Sequence, residues 1–296
     1  MPQVAANDIQ IEYESHGDPA APTVLLIMGL GTQLTAWPDA FCDHLVGHGY
    51  HVLRFDNRDV GLSTHFDEAR TPNIPALVAL KMLRLPSLVP YRLRDMADDA
   101  VSLLDALHIT AAHVVGVSMG GMLAQLVAAH YPGRTLSMTS IMSTTGNRAL
   151  PRSDKAATEA LVLQPGDPED MQSIIERNVR VRRALQSPRY PKSDEELWES
   201  AAASVARGGY RPQGVARQLA AIIAAKDRRA LLKKVQAPSL VIHGEDDGLV
   251  KVECGIDTAE HIPNCALKVF PGMAHDLPTP LLAPMADLIH ATASRT

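Results

Sequence analysis

Apolar and polar positions alternate in two different rhythms along the first 145 residues. Ile9 to Tyr13 (IQIEY) alternates residue by residue, whereas TVLLIMG (23–29), YHVLRFD (50–56) and AAHVVGVS (111–118) are short, largely apolar runs closed by Gly, Asp or Ser. Strict alternation predicts a strand with one wet face, and continuous runs predict strands buried on both faces. Between them, Pro38 to Leu45, Leu93 to Leu107 and Met119 to His130 repeat apolar residues every three or four positions, the period of amphipathic helices. Strand alternating with helix predicts a parallel sheet joined by right-handed crossovers.

TLSMTSIMST (135–144) reads as a further strand, after which strand signals stop for about ninety residues and helical patterns punctuated by Pro and Gly take over. SLVIHGEDD (239–247) and ALKVFPG (266–272) resume the strands, and a last helix is expected over roughly 280–291. The arrangement is that of one sheet domain, residues 1–145 and 235–296, interrupted by a helical insertion at 146–234. One stretch fits neither rhythm: TPNIPALVALKMLRLPSLVPY (71–91) is apolar and broken by four prolines. It is expected to be a partly buried connection, with a flap over the site as the alternative.

With 46% hydrophobic and 21% charged residues among 296, the chain has ample material for a core and no resemblance to a disordered segment. Its net charge of -5 disfavours nucleic acid as a partner. The densest basic stretch, Arg177 to Arg183, lies in a helical pattern and is read as a solvated face. Three cysteines, Cys42, Cys254 and Cys265, lie far apart without a CxxC pair, which argues against disulfide or zinc frameworks. The longest apolar run, Val24 to Leu30, is far short of a membrane span, and the N-terminus has no basic-then-apolar leader pattern, so a cytoplasmic protein is expected.

Gly116-Val117-Ser118-Met119-Gly120 matches G-x-S-x-G, in which a serine sits on a tight strand-to-helix turn. Chance would supply this pattern about 0.1 times in a chain of such length. The apolar run before it and the apolar helix after it are the surroundings the motif requires. A serine hydroxyl is a weak nucleophile until an imidazole takes its proton, and the imidazole needs an acid to fix its tautomer. In the order Ser…Asp…His, VIHGEDD offers Asp246 and Asp247 at one strand end, and GMAH places His275 in the loop after the next. His44 and His48 are spaced i, i+4 without the Glu of a metal-binding H-E-x-x-H and read as helix-surface residues. His243 is read as packed, and His113 opens a strand without an assigned role. An oxyanion would need the N–H after the nucleophile, Met119, and one from the Gly-rich loop after an early strand, Leu30, with Gly31 the alternative.

Taken together, MGLG (28–31), FDNRDVGLS (55–63), GVSMGG (116–121), HGEDD (243–247) and GMAH (272–275) resemble the motifs of the α/β-hydrolase superfamily in their proper order, over essentially the full length. The MG in place of HG, Asp59 and the PGMAHDLP ending look like the aclacinomycin methylesterase and carboxylesterase branch. The resemblance implies an α/β-hydrolase fold: a mostly parallel central sheet flanked by helices, with a helical cap inserted after the sixth strand. It also implies hydrolysis of a small-molecule carboxylic ester, with no metal or organic cofactor. The family's G-x-x-D spacing from Gly244 selects Asp247 over Asp246. Met28 departs from the common histidine, which should remove a polar loop contact but leave the Leu30 donor. Asp59 replaces a common glycine, and the sequence supplies no physical reason for it. A cofactor-free perhydrolase of the haloperoxidase type, a carbon–carbon bond hydrolase and a non-catalytic binding protein are the competing readings.

Overall fold

The strand Thr23–Ile27 is buried at every position, and its side chains divide between two cores as strand geometry requires. Leu25 and Ile27 pack on one face of the sheet with Leu53, Phe55 and Val114, while Val24 and Leu26 pack on the other with Val52, Val115 and Ile242. The computed structural model describes residues 2–83, 85–86 and 88–296. Among these, eight strands form one sheet: β1 Gln3–Ala6, β2 Ile9–His16, β3 Thr23–Ile27, β4 His51–Phe55, β5 Ala112–Val117, β6 Thr135–Ile141, β7 Ser239–Gly244 and β8 Ala266–Phe270. Their spatial order is β1-β2-β4-β3-β5-β6-β7-β8. The pairs β1–β2 and β2–β4 are antiparallel and the remaining ones parallel.

Helices cover both faces. They are α1 Asp39–Gly47, α2 Ile74–Met82, α3 Leu93–Ala106, α4 Met119–His130, α5 Lys155–Val162, α6 Met171–Leu185, α7 Asp194–Gly208, α8 Pro212–Ala224, α9 Arg229–Leu232, α10 Val252–Glu260 and α11 Leu282–Ala293. Helices α3 and α4 supply Met96, Ala100, Leu104, Leu123 and Val127 to one core, and α1 and α11 supply Phe41, Leu45, Met285 and Ile289 to the other. Each large apolar side chain so buried contributes about 1.5–3 kcal/mol. Helices α5 to α9 fall between β6 and β7, where strand signals stop, and α6 and α7 carry an apolar cluster of their own: Ile174, Ile175, Val179, Leu197, Ala201 and Val205. The start of α7 is fixed by a capping box, with Glu196 N–H donating to Ser193 Oγ at 3.2 Å and Ser193 N–H to Glu196 Oε2 at 2.7 Å.

The structure departs from the sequence reading in three places. Strand β1 was not expected: QVAA is too short and mild to signal a strand, and it forms only because β2 offers it an edge. In the 71–91 stretch, residues 74–82 are helical and Leu77 is buried, but Val78, Met82, Leu83, Leu85 and Leu88 are exposed, so it is less buried than expected. Arg84 and Ser87 of that stretch lie outside the described residues. The basic run of α6 is not a uniformly solvated face. Arg177 Nε donates to Leu163 O at 2.9 Å and Arg182 Nη1 to Ser200 Oγ at 2.8 Å, leaving Arg180 and Arg183 exposed. No described helix is long and apolar enough to cross a membrane.

Candidate active site

Strand β5 passes into helix α4 through a single residue, Ser118, whose φ of 54° and ψ of -117° lie where a side chain is strained. Its N–H donates to Ile141 O of β6 at 2.9 Å, which pins the turn to the neighbouring strand. Two glycines of the motif are set by close approach rather than by φ. A Cβ on Gly116 would come 2.0 Å from Gly120 O, and one on Gly120 would come 2.0 Å from Ile27 O of β3. The start of α4 can therefore press against the ends of β3 and β5 only if both positions are glycine.

The structure brings Ser118, His275 and Asp247 together from three separate strand ends. His275 Nε2 lies 3.1 Å from Ser118 Oγ, and His275 Nδ1 lies 2.7 Å from Asp247 Oδ2. A carboxylate only accepts hydrogen bonds, so the proton is assigned to Nδ1, and Nε2 presents its lone pair to the serine hydroxyl. Asp247 is 1% exposed, and its other oxygen accepts the N–H groups of Leu249 and Val250, each at 2.8 Å. Asp246, by contrast, is exposed. His243 stands behind this acid, its Nε2 3.6 Å from Asp247 Oδ2 and 2.7 Å from Val250 O. A carbonyl only accepts, so the His243 proton is on Nε2, and burial holds this ring below the ordinary imidazole range. His243 is packed, as its place in the sequence suggested. His44 is exposed, His48 pairs with Asp287 at 2.9 Å, and His113 Nδ1 meets Ser137 Oγ at 2.9 Å, all away from the serine's hydrogen-bond chain.

The Leu30 and Met119 N–H groups donate no hydrogen bond among the described residues. Gly31 N–H is already engaged by Gln218 Oε1 at 2.8 Å. Gly29 lies against the nucleophile turn, where a Cβ would be 3.2 Å from Ser118 Cβ. Met28 accepts Asn57 Nδ2 on its carbonyl at 3.0 Å, and its side chain is buried in the core on one face of the sheet.

Around this cluster the Asp56-Asn57-Arg58-Asp59 segment holds four parts of the molecule at once. Asp56 accepts Leu34 N–H at 2.7 Å and Arg207 Nη1 of α7 at 2.7 Å. Arg58 forms a two-pronged pair with Asp99 of α3, both bonds 2.6 Å. Asp59 has φ 67° and accepts two bonds from Arg217 of α8, one from Tyr91 OH at 2.6 Å and one from Phe66 N–H at 2.9 Å. This explains the residue that stands where glycine is common. Aspartate tolerates the left-handed backbone better than most residues, and its carboxylate anchors α8. Burial disfavours its charge, but Arg217, Tyr91 and the Phe66 amide outweigh that and hold its pKa below the usual carboxylate value.

The His275 loop is held by the end of α6 and the segment after it. His275 N–H donates to Leu185 O at 3.1 Å, and Ser187 Oγ accepts Ala274 N–H at 2.8 Å while donating to Asp276 Oδ1. Ser187, Arg207, Arg217 and Gln218 were not found by the sequence reading, because nothing near them in the chain reveals partners about 90 to 190 residues away.

A mostly parallel sheet with its polar cluster at the carboxyl ends of the strands defines an α/β enzyme fold. The chain belongs to the α/β hydrolase fold family, whose model matches residues 22–278. It is similar to rhodomycin D methylesterase DauP of Streptomyces sp. (strain C5), with 26% identity over 97% of this chain and 96% of that one. It is also similar to 3-oxoadipate enol-lactonase 2 of Acinetobacter baylyi, with 27% identity over 90% of this chain and 86% of that one. Among solved structures, the meta-cleavage product hydrolase of Pseudomonas fluorescens IP01 superposes with a TM-score of 0.76 at 19% identity, covering 100% of this chain and 98% of that one. That likeness is one of fold.

Proposed function

We propose that the chain hydrolyses small-molecule carboxylic esters through an acyl-enzyme on Ser118. The single observation that carries this reading is the unbroken hydrogen-bond chain from Ser118 Oγ through His275 to buried Asp247, at 3.1 and 2.7 Å. In the first half, Ser118 Oγ attacks the ester carbonyl carbon as its proton passes to His275 Nε2. The tetrahedral oxyanion takes hydrogen bonds from the Leu30 and Met119 N–H groups, which have no other partner among the described residues. On collapse the C–O bond to the alcohol breaks, and His275 returns the proton to that leaving oxygen. Water then attacks the acyl carbon with His275 again as base, releasing the acid and restoring Ser118. Asp247 holds the ring's tautomer and stabilises its cation. No metal or organic cofactor takes part.

The excursion at 146–234 is read as a lid on a core of residues 1–145 and 235–296. Its separate apolar cluster and its ties through Arg207, Arg217 and Ser187 support that division. A cytoplasmic setting belongs to the same reading, and the free thiols of Cys42, Cys254 and Cys265 are compatible with it.

The test is turnover of p-nitrophenyl acyl esters of increasing length and of methyl esters of bulky acids, compared with Ser118→Ala. The variant should fold and lose nearly all turnover, keeping only what an oxyanion hole without a nucleophile supplies. A fluorophosphonate should leave its adduct on Ser118 by mass spectrometry. Full activity in the alanine variant, or an adduct elsewhere, overturns the mechanism.

A further inference from the structure

The Gly29–Leu30 and Leu30–Gly31 peptides are both held by Thr32, and the second also by a side chain of α8. Gly29 O accepts Thr32 N–H at 3.4 Å. Because a trans peptide points its N–H opposite to its C=O, that contact turns the Leu30 N–H away from Thr32. The following peptide is gripped at both ends, with Leu30 O accepting Thr32 Oγ1 at 3.0 Å and Gly31 N–H donating to Gln218 Oε1 at 2.8 Å. Gln218 lies on α8 and is 0% exposed, and its Nε2 donates to Arg58 O at 2.7 Å. A carbonyl on one side and an N–H on the other leave its amide one orientation. The neighbouring Val215 packs so closely that a Cβ on Gly31 would meet its Cγ2 at 2.7 Å, and Gly31 has φ 63°.

We propose that Gln218 is a positioning residue for the oxyanion donor: a side chain of the helical excursion sets the peptide that aims the Leu30 N–H at the carbonyl oxygen of a substrate on Ser118. The proposal rests on the reading of the site given above. It makes the oxyanion hole a joint product of sheet and excursion, complete only while α8 is seated on the loop after β3. Met119 needs no such support, since its N–H is set by the start of α4.

A positioning role differs from a structural one in what it moves. Gln218→Met, close in size but unable to accept from Gly31 or donate to Arg58, should lower kcat about 10²-fold with KM within twofold, the scale of losing one oxyanion donor. Affinity for a trifluoromethyl ketone, which forms a tetrahedral adduct with an oxyanion, should fall by the same factor. Gln218→Glu retains the acceptor for Gly31 and should return kcat to within about tenfold of wild type. Should the Met variant not fold, Gln218→Asn, which keeps the amide but withdraws it, should show the same split of kcat from KM. Wild-type kcat in the Met or Asn variant overturns the proposal. Equal losses in a folded Glu variant, which keeps the acceptor for Gly31 and changes only the group that faces Arg58 O, overturn it as well. If wild-type protein neither turns over esters nor takes a fluorophosphonate on Ser118, the reading of the site fails instead.

Discussion

Asp59 and Arg217, 158 residues apart in sequence, face each other through two parallel hydrogen bonds of 2.8 and 2.7 Å, with side chains 0% and 2% exposed. The pair fastens α8 to the loop after β4, and Asp59 sits in it with a left-handed φ of 67°. Removing one partner leaves the other charge buried and uncompensated, at a cost of about 3–5 kcal/mol. Asp59→Asn, which tolerates the same backbone, should destabilise by about 3 kcal/mol in urea unfolding followed by tryptophan fluorescence. Combining it with Arg217→Met should recover part of that loss, because no unpaired guanidinium then remains. A double variant destabilised by the full sum of the two single effects would show that the residues do not act as a pair.

Asp276, next to His275 in the chain, should give folding stability a pH dependence of its own. Burial raises its pKa, hydrogen bonds from Ser187 oppose that only in part, and Oδ2 has no hydrogen-bond partner among the described residues. A carboxyl whose folded pKa is raised binds its proton more tightly when folded. Its contribution to stability is therefore fully present below the unfolded value of about 3.9 and is lost as pH rises through the raised folded value. Asp99, also raised by burial, behaves likewise, so the signal is the difference between proteins. Asp276→Asn keeps an oxygen for Ser187 and should abolish this decline, so that its unfolding free energy gains on wild type as pH rises above the unfolded value of about 3.9. Parallel pH–stability curves for the two proteins would refute the assignment.

How much of this was legible in the sequence follows from where each constraint resides. The elbow was readable because it is local: Gly116 and Gly120 are required by contacts within the turn and with Ile27 beside it, and a spacing of two residues records both. His275 and the adjacent pair Asp246 and Asp247 were readable because each follows an apolar strand run, so their position along the chain also fixes their end of the sheet, while only the resemblance to the family's spacing from Gly244 singled out Asp247. The ties that hold α7 and α8 were not. A part-buried Arg207 or a buried Arg217 is the same letter as a solvated arginine, and only the fold sets Asp56 and Asp59 opposite them. The same limit misjudged α6, where Arg177 and Arg182 bond to Leu163 O and Ser200 Oγ rather than facing water. Gln218 left no trace at all, since it is neither titratable nor part of any motif, and its role comes from two backbone groups in different loops.

The adjacent carboxylates Asp246 and Asp247 permit the sharpest test of the site. They follow β7 in one turn, yet they face different surroundings. Asp247 is buried, with Oδ1 taking the Leu249 and Val250 N–H groups and Oδ2 2.7 Å from His275 Nδ1, while Asp246 is exposed and contributes its backbone N–H to Met273 O at 2.9 Å. Asn at 247 could still accept through one oxygen. The two backbone amides at Oδ1 can only donate, so that oxygen stays where it is and the new NH₂ group takes the place of Oδ2. A donor would then face Nδ1, forcing the ring to carry its proton on Nε2, where it cannot accept one from Ser118. The wrong tautomer costs about 10⁴ in kcat in a serine protease of another fold, which sets the scale expected for Asp247→Asn. Asp246→Asn alters only a solvated side chain and should stay within about tenfold of wild type, or about 1.4 kcal/mol in barrier. Steady-state kinetics of the two variants side by side, with circular dichroism to confirm that both are folded, decides the matter. A crippled Asp246→Asn beside an active Asp247→Asn would move the orienting role to Asp246 and with it undo the proposed route of proton transfer.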